Sequence, residues 1–384
     1  MTQTVQLVLD EIDRVKPDRV VFDSVTELRM LADTPLKYRR QMLALKQMFS
    51  GRATTVLFLD DLTAALRDLQ VQSIVHGVLN LQKLHPEFGD ERRRLVVIKL
   101  RGVSFTGGYH DYVIRKGGLC VFPRMVASEH FAKFERVKLS SGIDELDKLV
   151  GGGLDRGTSN LFLGPAGTGK STLAIQYALA AAERGEQAAI FAFEESIHTM
   201  LMRASALGMD LEKHIKSGKL HVQKIDPAEL SSGEFAHLIR TRVLRDNLRV
   251  VAIDSLNGYL HAMPQEQFLT LQLHELLSFL GNQGVVTLLV LAQQGIMGSM
   301  MQTPVDLTYL ADTVIITRYF EARGAVKKAV SVIKKRGSMH ETTIREFSIG
   351  EGRLKVGPPL GHFQDVLTGV PSFVENDSSA LGQG

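Results

Sequence analysis

Short apolar runs separated by more polar, helix-compatible stretches recur through the second two-thirds of the chain. Residues 158–163, 188–193, 219–224, 249–253 and 285–292 are such runs, and they predict buried strands alternating with helices. That alternation points to an α/β fold with a mainly parallel central sheet flanked by helices. Ligands in such sheets bind beyond the carboxyl ends of the strands. Directly after the first of these strands, Ser171 to Arg184 is rich in Ala and Leu and predicts a helix.

The chain also repeats itself. Arg19-Val20-Val21-Phe22-Asp23-Ser24 returns as Arg249-Val250-Val251-Ala252-Ile253-Asp254-Ser255, and Leu95-Val96-Val97-Ile98-Lys99-Leu100-Arg101-Gly102 returns as Val330-Ser331-Val332-Ile333-Lys334-Lys335-Arg336-Gly337. The two separations are nearly equal, which indicates a duplicated domain. Between them lie matching helical stretches, 37–49 and 265–281, and matching apolar strands, 54–59 and 285–292. Each copy is expected to close with a glycine-containing hairpin. The copies are unequal, because the stretch from Lys170 to Asp254 is longer than everything that precedes Asp23. Residues 1–135 therefore read as the later part of a nucleotide-binding domain whose front half is missing, through truncation, a mis-set start codon or real loss. On that reading they bind no nucleotide by themselves and leave a sheet edge exposed. Residues 136–372 read as the complete copy, and 373–384 as a disordered tail that is Gly- and Ser-containing from Asn376 onward.

Candidate chemistry enters at Gly164-Pro165-Ala166-Gly167-Thr168-Gly169-Lys170-Ser171. This meets the G-x-x-x-x-G-K-[ST] phosphate-loop pattern between a predicted strand and a predicted helix, the context the motif requires. Its glycines allow a turn tight enough to aim successive amides at phosphate oxygens, where the helix N-terminus adds partial positive charge. Lys170 would reach the outer phosphates, and the Ser171 hydroxyl would hold Mg²⁺. The run ending in Asp254 is an apolar strand closed by an acid, the expected second anchor of the metal. Glu194 and Glu195 end the strand at 188–193. Adjacent side chains of an extended segment point opposite ways, so one is a candidate general base and the other a neighbour that tunes it. The residues alone leave open that both merely complement the dipole of the following helix. Glu194 is also a candidate for the metal shell.

Length and composition then narrow the setting. At 384 residues the chain exceeds what one hydrophobic core usually serves, so more than one domain is expected. A formal net charge of +3 gives no reason to invoke nucleic acid. The apolar runs are too short to span a membrane and the N-terminus lacks a signal-peptide core, so a cytoplasmic location is expected. The single Cys120 permits neither an internal disulfide nor a cysteine metal site, and the twelve His show no ligand spacing.

Taken together, Ser141-Gly142-Ile143-Asp144-Glu145-Leu146-Asp147 before Gly151-Gly152-Gly153, the phosphate loop, Phe193-Glu194-Glu195-Ser196, Ile253-Asp254-Ser255 and Lys334-Lys335-Arg336-Gly337-Ser338-Met339-His340 resemble the KaiC-like proteins. These are RecA-superfamily ATPases built from two tandem domains, and the resemblance covers residues 1 to about 372. It implies a homo-oligomeric ring, usually a hexamer, with ATP and Mg²⁺ held between subunits. One subunit contributes the phosphate loop with Thr172, and its neighbour supplies Lys334, Lys335 and Arg336 to the γ-phosphate. Residues two apart on a strand project the same way, so Lys334 and Arg336 can act as one cationic clamp. Without the resemblance, a solvated strand end is the alternative reading of this basic run.

The resemblance further implies that Lys328, Ser338 and His340 are interfacial nucleotide contacts and that Leu207-Gly208 packs the adenine base. In place of the adjacent Ser-Thr pair that the clock protein of this family phosphorylates, this chain has Thr308 and Tyr309, with Ala311 where a nearby Thr can occur. ATP hydrolysis is therefore expected ahead of serine/threonine autokinase activity, with Thr308 as the candidate acceptor. The final residues do not resemble that protein's partner-binding tail, and circadian timing is not implied. Two other classes remain. A RecA or RadA-type recombinase would bind DNA through 295–303, but that loop has no Arg, Lys or aromatic residue. A non-catalytic ring scaffold would use nucleotide for assembly and bind a signalling partner.

Overall fold

The computed structural model describes residues 2–32, 34–61, 69–86, 89–261, 266–293, 295, 307–350, 353–366 and 372–373. The tail at 374–384 and all of the 295–303 loop except Gly295 lie outside the described residues. In chain order the elements are α1 (Thr2–Val15), β1 (Arg19–Asp23), α2 (Val25–Met30), α3 (Pro35–Phe49), β2 (Thr55–Leu59), α4 (Leu69–Ile74), β3 (Gly77–Leu84), β4 (Arg92–Leu100), β5 (Tyr109–Arg115) and β6 (Gly118–Phe122). There follow β7 (Lys138–Leu139), α5 (Asp144–Leu149), β8 (Leu154–Asp155), β9 (Ser159–Pro165), α6 (Lys170–Glu183), β10 (Gln187–Ala192), α7 (Ile197–Ala206), α8 (Leu211–Lys216), β11 (Leu220–Lys224), α9 (Ser232–Asp246) and β12 (Leu248–Asp254). Then come α10 (Leu256–His261), α11 (Glu266–Asn282), β13 (Val286–Gln293), β14 (Thr313–Ala322), β15 (Ala325–Lys335), β16 (Arg345–Gly350) and β17 (Arg353–Pro359). Two compact units result, Met1–Gln82 with Leu95–Tyr109, and Lys83–Arg94 with His110–Gly384.

In the first unit, β1 and β2 pair in parallel from Arg19↔Thr55 to Asp23↔Leu59, and among the described residues they pair only with each other. Strand alternation gives this pair two different faces. Phe22 and Phe58 pack against Val25 of α2 and Tyr38, Met42 and Leu45 of α3, whereas Val21, Leu57 and Leu59 are exposed. Arg29 holds the Asp60 carboxylate with two bonds of 2.8 and 2.7 Å.

The second unit is the α/β fold anticipated from the sequence. Among the described residues its sheet runs in the order β11-β10-β12-β13-β9-β14-β15-β16-β17. The first six strands are parallel, and β15 to β17 extend the sheet antiparallel. Helices cover both faces. Leu173, Tyr177 and Ala181 of α6, Met200 of α7 and Leu211 of α8 pack on one face. Phe235 and Ile239 of α9, Tyr259 of α10 and Leu273 and Phe279 of α11 pack on the other. The interior strands β10, β12 and β13 are almost wholly apolar because both their faces are buried, whereas the edge strand β11 is mixed. The expected closing hairpin is β14 and β15, which turn at Arg323-Gly324, both at positive φ.

Residues 110–135, counted with the first copy by sequence, pack within the second unit. The Asp111 carboxylate accepts from the Gly233 amide at 2.9 Å, and Arg115 pairs with Glu234, both at the start of α9.

Phe162 of β9 is fully buried and stacks near Tyr177, with ring centroids 6.1 Å apart. Phe162→Ala is expected to cost about 3–5 kcal/mol, read as a lowered urea midpoint. A loss under about 0.5 kcal/mol, the range of a surface substitution, would contradict this packing.

Candidate active site

The turn from β9 into α6 sets the site. Gly167 and Gly169 sit at φ +77° and +105°, a region that only glycine adopts readily. A Cβ on Gly169 would also lie 2.8 Å from the Phe347 ring. Thr168 is fully buried in the loop, where its hydroxyl donates to the Pro165 carbonyl at 2.9 Å and lies 2.7 Å from the Thr317 hydroxyl of β14. Tyr319 of the same strand donates to the Ala166 carbonyl at 3.2 Å. The loop is thereby pinned before any ligand arrives.

Lys170 and Asp254 face each other beneath this loop. Lys170 is 5% exposed, and its ammonium donates to the Pro165 carbonyl at 2.7 Å. Burial pulls its pKa down to about 8, against the attraction of Asp254 and Glu194. Asp254 ends β12 at 8% exposure and accepts from the Ser171 hydroxyl at 3.0 Å. Burial pushes its carboxyl up to about 6, opposed first by the Ser171 hydrogen bond. Low-dielectric surroundings thus drive both groups toward their neutral forms.

The adjacent carboxylates diverge. Glu194 accepts from the Ser255 hydroxyl at 2.7 Å. Glu195 is held by Arg203 of α7 through bonds of 3.1 and 2.7 Å, and the same guanidinium donates to Thr172 of α6 at 2.8 Å. Ser171, Asp254 and Glu194 offer oxygen donors only, which fits a hard cation such as Mg²⁺ that retains water and phosphate oxygens in its shell. Among the described residues there is no group of three or more His, Cys, Asp or Glu able to hold a metal unaided.

The basic run lies elsewhere. Thr313 of β14 pairs with Asn160 on one side and with Lys335 on the other, so Lys335 stands level with the start of β9, while the phosphate loop follows its end. Lys334 donates to the Thr308 and Ala311 carbonyls at 2.8 and 2.7 Å, and Arg336 to the Tyr309 carbonyl at 3.0 Å. These two share one side. Lys335 turns to the other, donating to the Val150 and Gly153 carbonyls at 2.5 and 2.9 Å, and Ser338 lies 3.5 Å from Asp155. His340 is half-buried at the next turn. Lys328 pairs with Tyr319 at the opposite end of β15, with its ammonium 6.0 Å from that ring. It is not brought together with Lys334, Arg336, Ser338 and His340. Leu207 and Gly208 close α7, and Gly208 borders a cleft of about 690 Å³ with Leu201, Asp210 and Lys213.

The sequence matches the KaiC family of ATPases over residues 2–126 and 139–361. The chain belongs to this family. It is similar to the circadian clock oscillator protein KaiC of Parathermosynechococcus lividus, at 27% identity over 370 residues, which cover 95% of this chain and 68% of the relative. The Synechococcus elongatus protein of the same name is 26% identical over 374 residues, 96% of this chain and 71% of its own length. The circadian clock protein KaiC3 of Synechocystis is 29% identical over 287 residues, 74% of this chain and 56% of its own length. No helix among the described residues is long and apolar enough to cross a membrane.

Several residues that build this KaiC-family site carry no local signal. Thr317 and Tyr319 reach the loop from a strand some 150 positions away in sequence. Arg203 offers a weak signal, since it lies on the helix that Glu195 precedes. Ser255 follows Asp254 directly and stands out in the sequence only through the repeat and the family resemblance, with no role assigned to it.

The folded chain holds the Asp254 proton more tightly than the unfolded chain does. The charged carboxylate therefore destabilises the ligand-free fold above pH 6, and this handicap fades as pH falls from about 6 toward 4. Asp254→Asn is expected to raise ligand-free stability at pH 7 by roughly 2–3 kcal/mol, with the difference vanishing near pH 4. Urea midpoints measured across that range check it, and a gain independent of pH would count against it.

Proposed function

We propose that this chain hydrolyses ATP in a site shared between subunits of a homo-oligomeric ring. One observation carries the reading. The phosphate loop, Ser171, Asp254 and Glu194 converge at one end of the sheet, while the Lys334 and Arg336 pair stands at the other. The five-residue offset along β9 amounts to roughly 16 Å at ~3.3 Å per residue. A clamp of that kind meets the γ-phosphate of a neighbour's nucleotide, and a closed ring lets every subunit give and receive it.

In this mechanism Lys170 exchanges the Pro165 carbonyl for the outer phosphates of ATP, and the loop amides take the remaining oxygens. Ser171 and Asp254, with Glu194 beside them, would hold Mg²⁺, which would supply positive charge to the phosphates. Glu194 accepts a proton from the attacking water as the water oxygen bonds to the γ-phosphorus and the bond to the bridging oxygen of ADP breaks. Arg203 keeps Glu195 and Thr172 in place, tying α7 to the loop helix. Leu207 and Gly208 would pack the adenine, while Lys328, Ser338 and His340 would join the interface. Thr308, beside Lys334, is the acceptor if phosphoryl transfer to the protein occurs.

The domain reading is part of the proposal: residues 1–135 as a partial copy, 136–372 as the complete ATPase domain and 373–384 as a tail. Matching hydrogen bonds support it. Lys99 and Arg101 donate to the Gln72 and Ser73 carbonyls, as Lys334 and Arg336 donate to those of Thr308 and Tyr309. The Arg101 amide donates to the His76 carbonyl at 3.0 Å, as the Arg336 amide donates to that of Asp312.

The test is incubation with γ-labelled ATP and Mg²⁺, reading free phosphate and protein-bound label together, with Lys170→Ala as the control. Free phosphate without label is the expected result, and nucleotide binding without either would leave only the scaffold reading. Glu194→Gln is expected to lower kcat by about 10²–10⁴ with ATP binding retained. Mixing Glu194→Gln with Arg336→Ala subunits should recover activity, because some interfaces then combine an intact loop with an intact clamp. An absence of recovery in mixed assemblies would overturn the shared site.

A further inference from the structure

Two polar side chains on the strands either side of β9 carry buried atoms without partners. The Nε and Nη1 of Arg318 and the Oε1 of Gln293 are buried and accept or donate no hydrogen bond. Buried polar atoms of native proteins are rarely left unpaired, and Arg318, half-buried as a residue, carries two of them. No carboxylate among the described residues forms an ion pair with Arg318. Burial alone acts on its protonation and pulls its pKa down.

The sheet register brings the two side chains together around β9. Gln293 ends β13 opposite Pro165. On the other side of β9, Ile316 of β14 is opposite Leu163, so continuing that register by two residues puts Arg318 level with Pro165 as well. On that continued register, Gln293, Pro165 and Arg318 fall in one row across three neighbouring strands at the carboxyl end of the sheet. They also share a face. Leu291, Leu163 and Ile316, two residues earlier on each strand, all belong to the apolar layer under α9 to α11, and strand positions two apart project alike. Thr317, between Ile316 and Arg318, points to the opposite face and meets Thr168.

The backbone on both sides is held firmly. Asn257 bonds both polar groups of Ala292, at 3.0 and 2.7 Å, just before Gln293. Thr317 and Tyr319 are each tied to the loop on either side of Arg318. Such support is what a binding site requires to keep its donors and acceptors in place.

The pair combines a cationic fork of donors with a neutral acceptor. A fully ionised phosphoryl group satisfies the first but leaves the Gln293 Oε1, in the orientation it takes here, without a donor. Hydrogen phosphate satisfies both, because its oxygens accept from the guanidinium and its remaining O–H donates to the amide oxygen. We infer that Gln293 and Arg318 form a site for hydrogen phosphate, the product released when the γ-phosphoryl group has passed to water. This assignment rests on the hydrolysis reading for its biological sense but not for its test, which reads binding alone.

The experiment saturates the full chain with MgADP and titrates it with radiolabelled inorganic phosphate by equilibrium dialysis, with ADP and a non-hydrolysable ATP analogue titrated separately. The expected result is saturable phosphate binding that Arg318→Gln weakens by about tenfold or more, with ADP affinity unchanged as evidence of an intact fold. Gln293→Glu should weaken it too, since a carboxylate repels the anion, and Arg318→Lys should retain part of it. Three results would overturn the site: no phosphate binding by the unaltered chain, phosphate binding indifferent to Arg318→Gln, or loss of affinity for the ATP analogue alone. The last would assign Arg318 to the γ-phosphate of bound nucleotide instead.

Discussion

Lys170, at the start of α6, and Asp254, at the end of β12, are both buried beside the phosphate loop, at 5% and 8% exposure. Among the described residues each side chain keeps a single hydrogen-bond partner, the Pro165 carbonyl for one and the Ser171 hydroxyl for the other. Keeping charges in such surroundings costs free energy, and burial moves both pKa values toward neutrality. The fold tolerates this because β9, α6 and β12 are anchored by two large apolar layers, and because Thr168 and Thr317 lock the loop. Nucleotide and metal would replace those provisional partners with stronger ones. The same feature that weakens the empty protein is what makes the site ready to bind.

Strand direction decides what this one site can contain. Parallel strands carry every carboxyl end to one side, which assembles Pro165, Glu194, Asp254 and Gln293 from sequence positions far apart. The antiparallel return of β15 carries the basic run to the other side. Lys328 and Lys334, six residues apart, therefore serve opposite ends of the same sheet. A motif that looks continuous along the chain is divided by a hairpin.

The two units show how one local framework carries different chemistry. In both, a Lys and an Arg two residues apart bind consecutive carbonyls, and the Arg amide bonds the carbonyl just before the next strand. The residue giving that carbonyl is His76 in one unit and Asp312 in the other. Asp312 also accepts from the Ser159 amide at 3.0 Å and so fixes the start of β9. Where β1 and β2 pair only with each other among the described residues, there is no such strand for a carboxylate to hold.

Local chemistry was legible from the chain itself. The glycines at 167 and 169, the adjacent Lys170 and Ser171, the strands feeding Glu194 and Asp254, and the repeat of Asp-Ser and Lys-x-Arg-Gly segments all follow from short-range rules: which residues adopt positive φ, which runs bury on two faces, which spacing returns. The antiparallel extension β16 and β17 was not read, because alternating, half-buried strands at a sheet edge carry a weaker signal than apolar central ones. Nor did spacing reveal that Thr317 closes the loop, that Arg203 restrains Glu195, or that Gln293 and Arg318 flank Pro165. The sequence by itself determined the fold class, the phosphate loop and its two acidic strand ends, since each depends on residues close together in the chain. Only the tertiary structure decided which distant side chains close around that loop and which basic residues lie out of its reach. Strand order and register, set by packing across the whole sheet, make neighbours of residues that the chain keeps far apart.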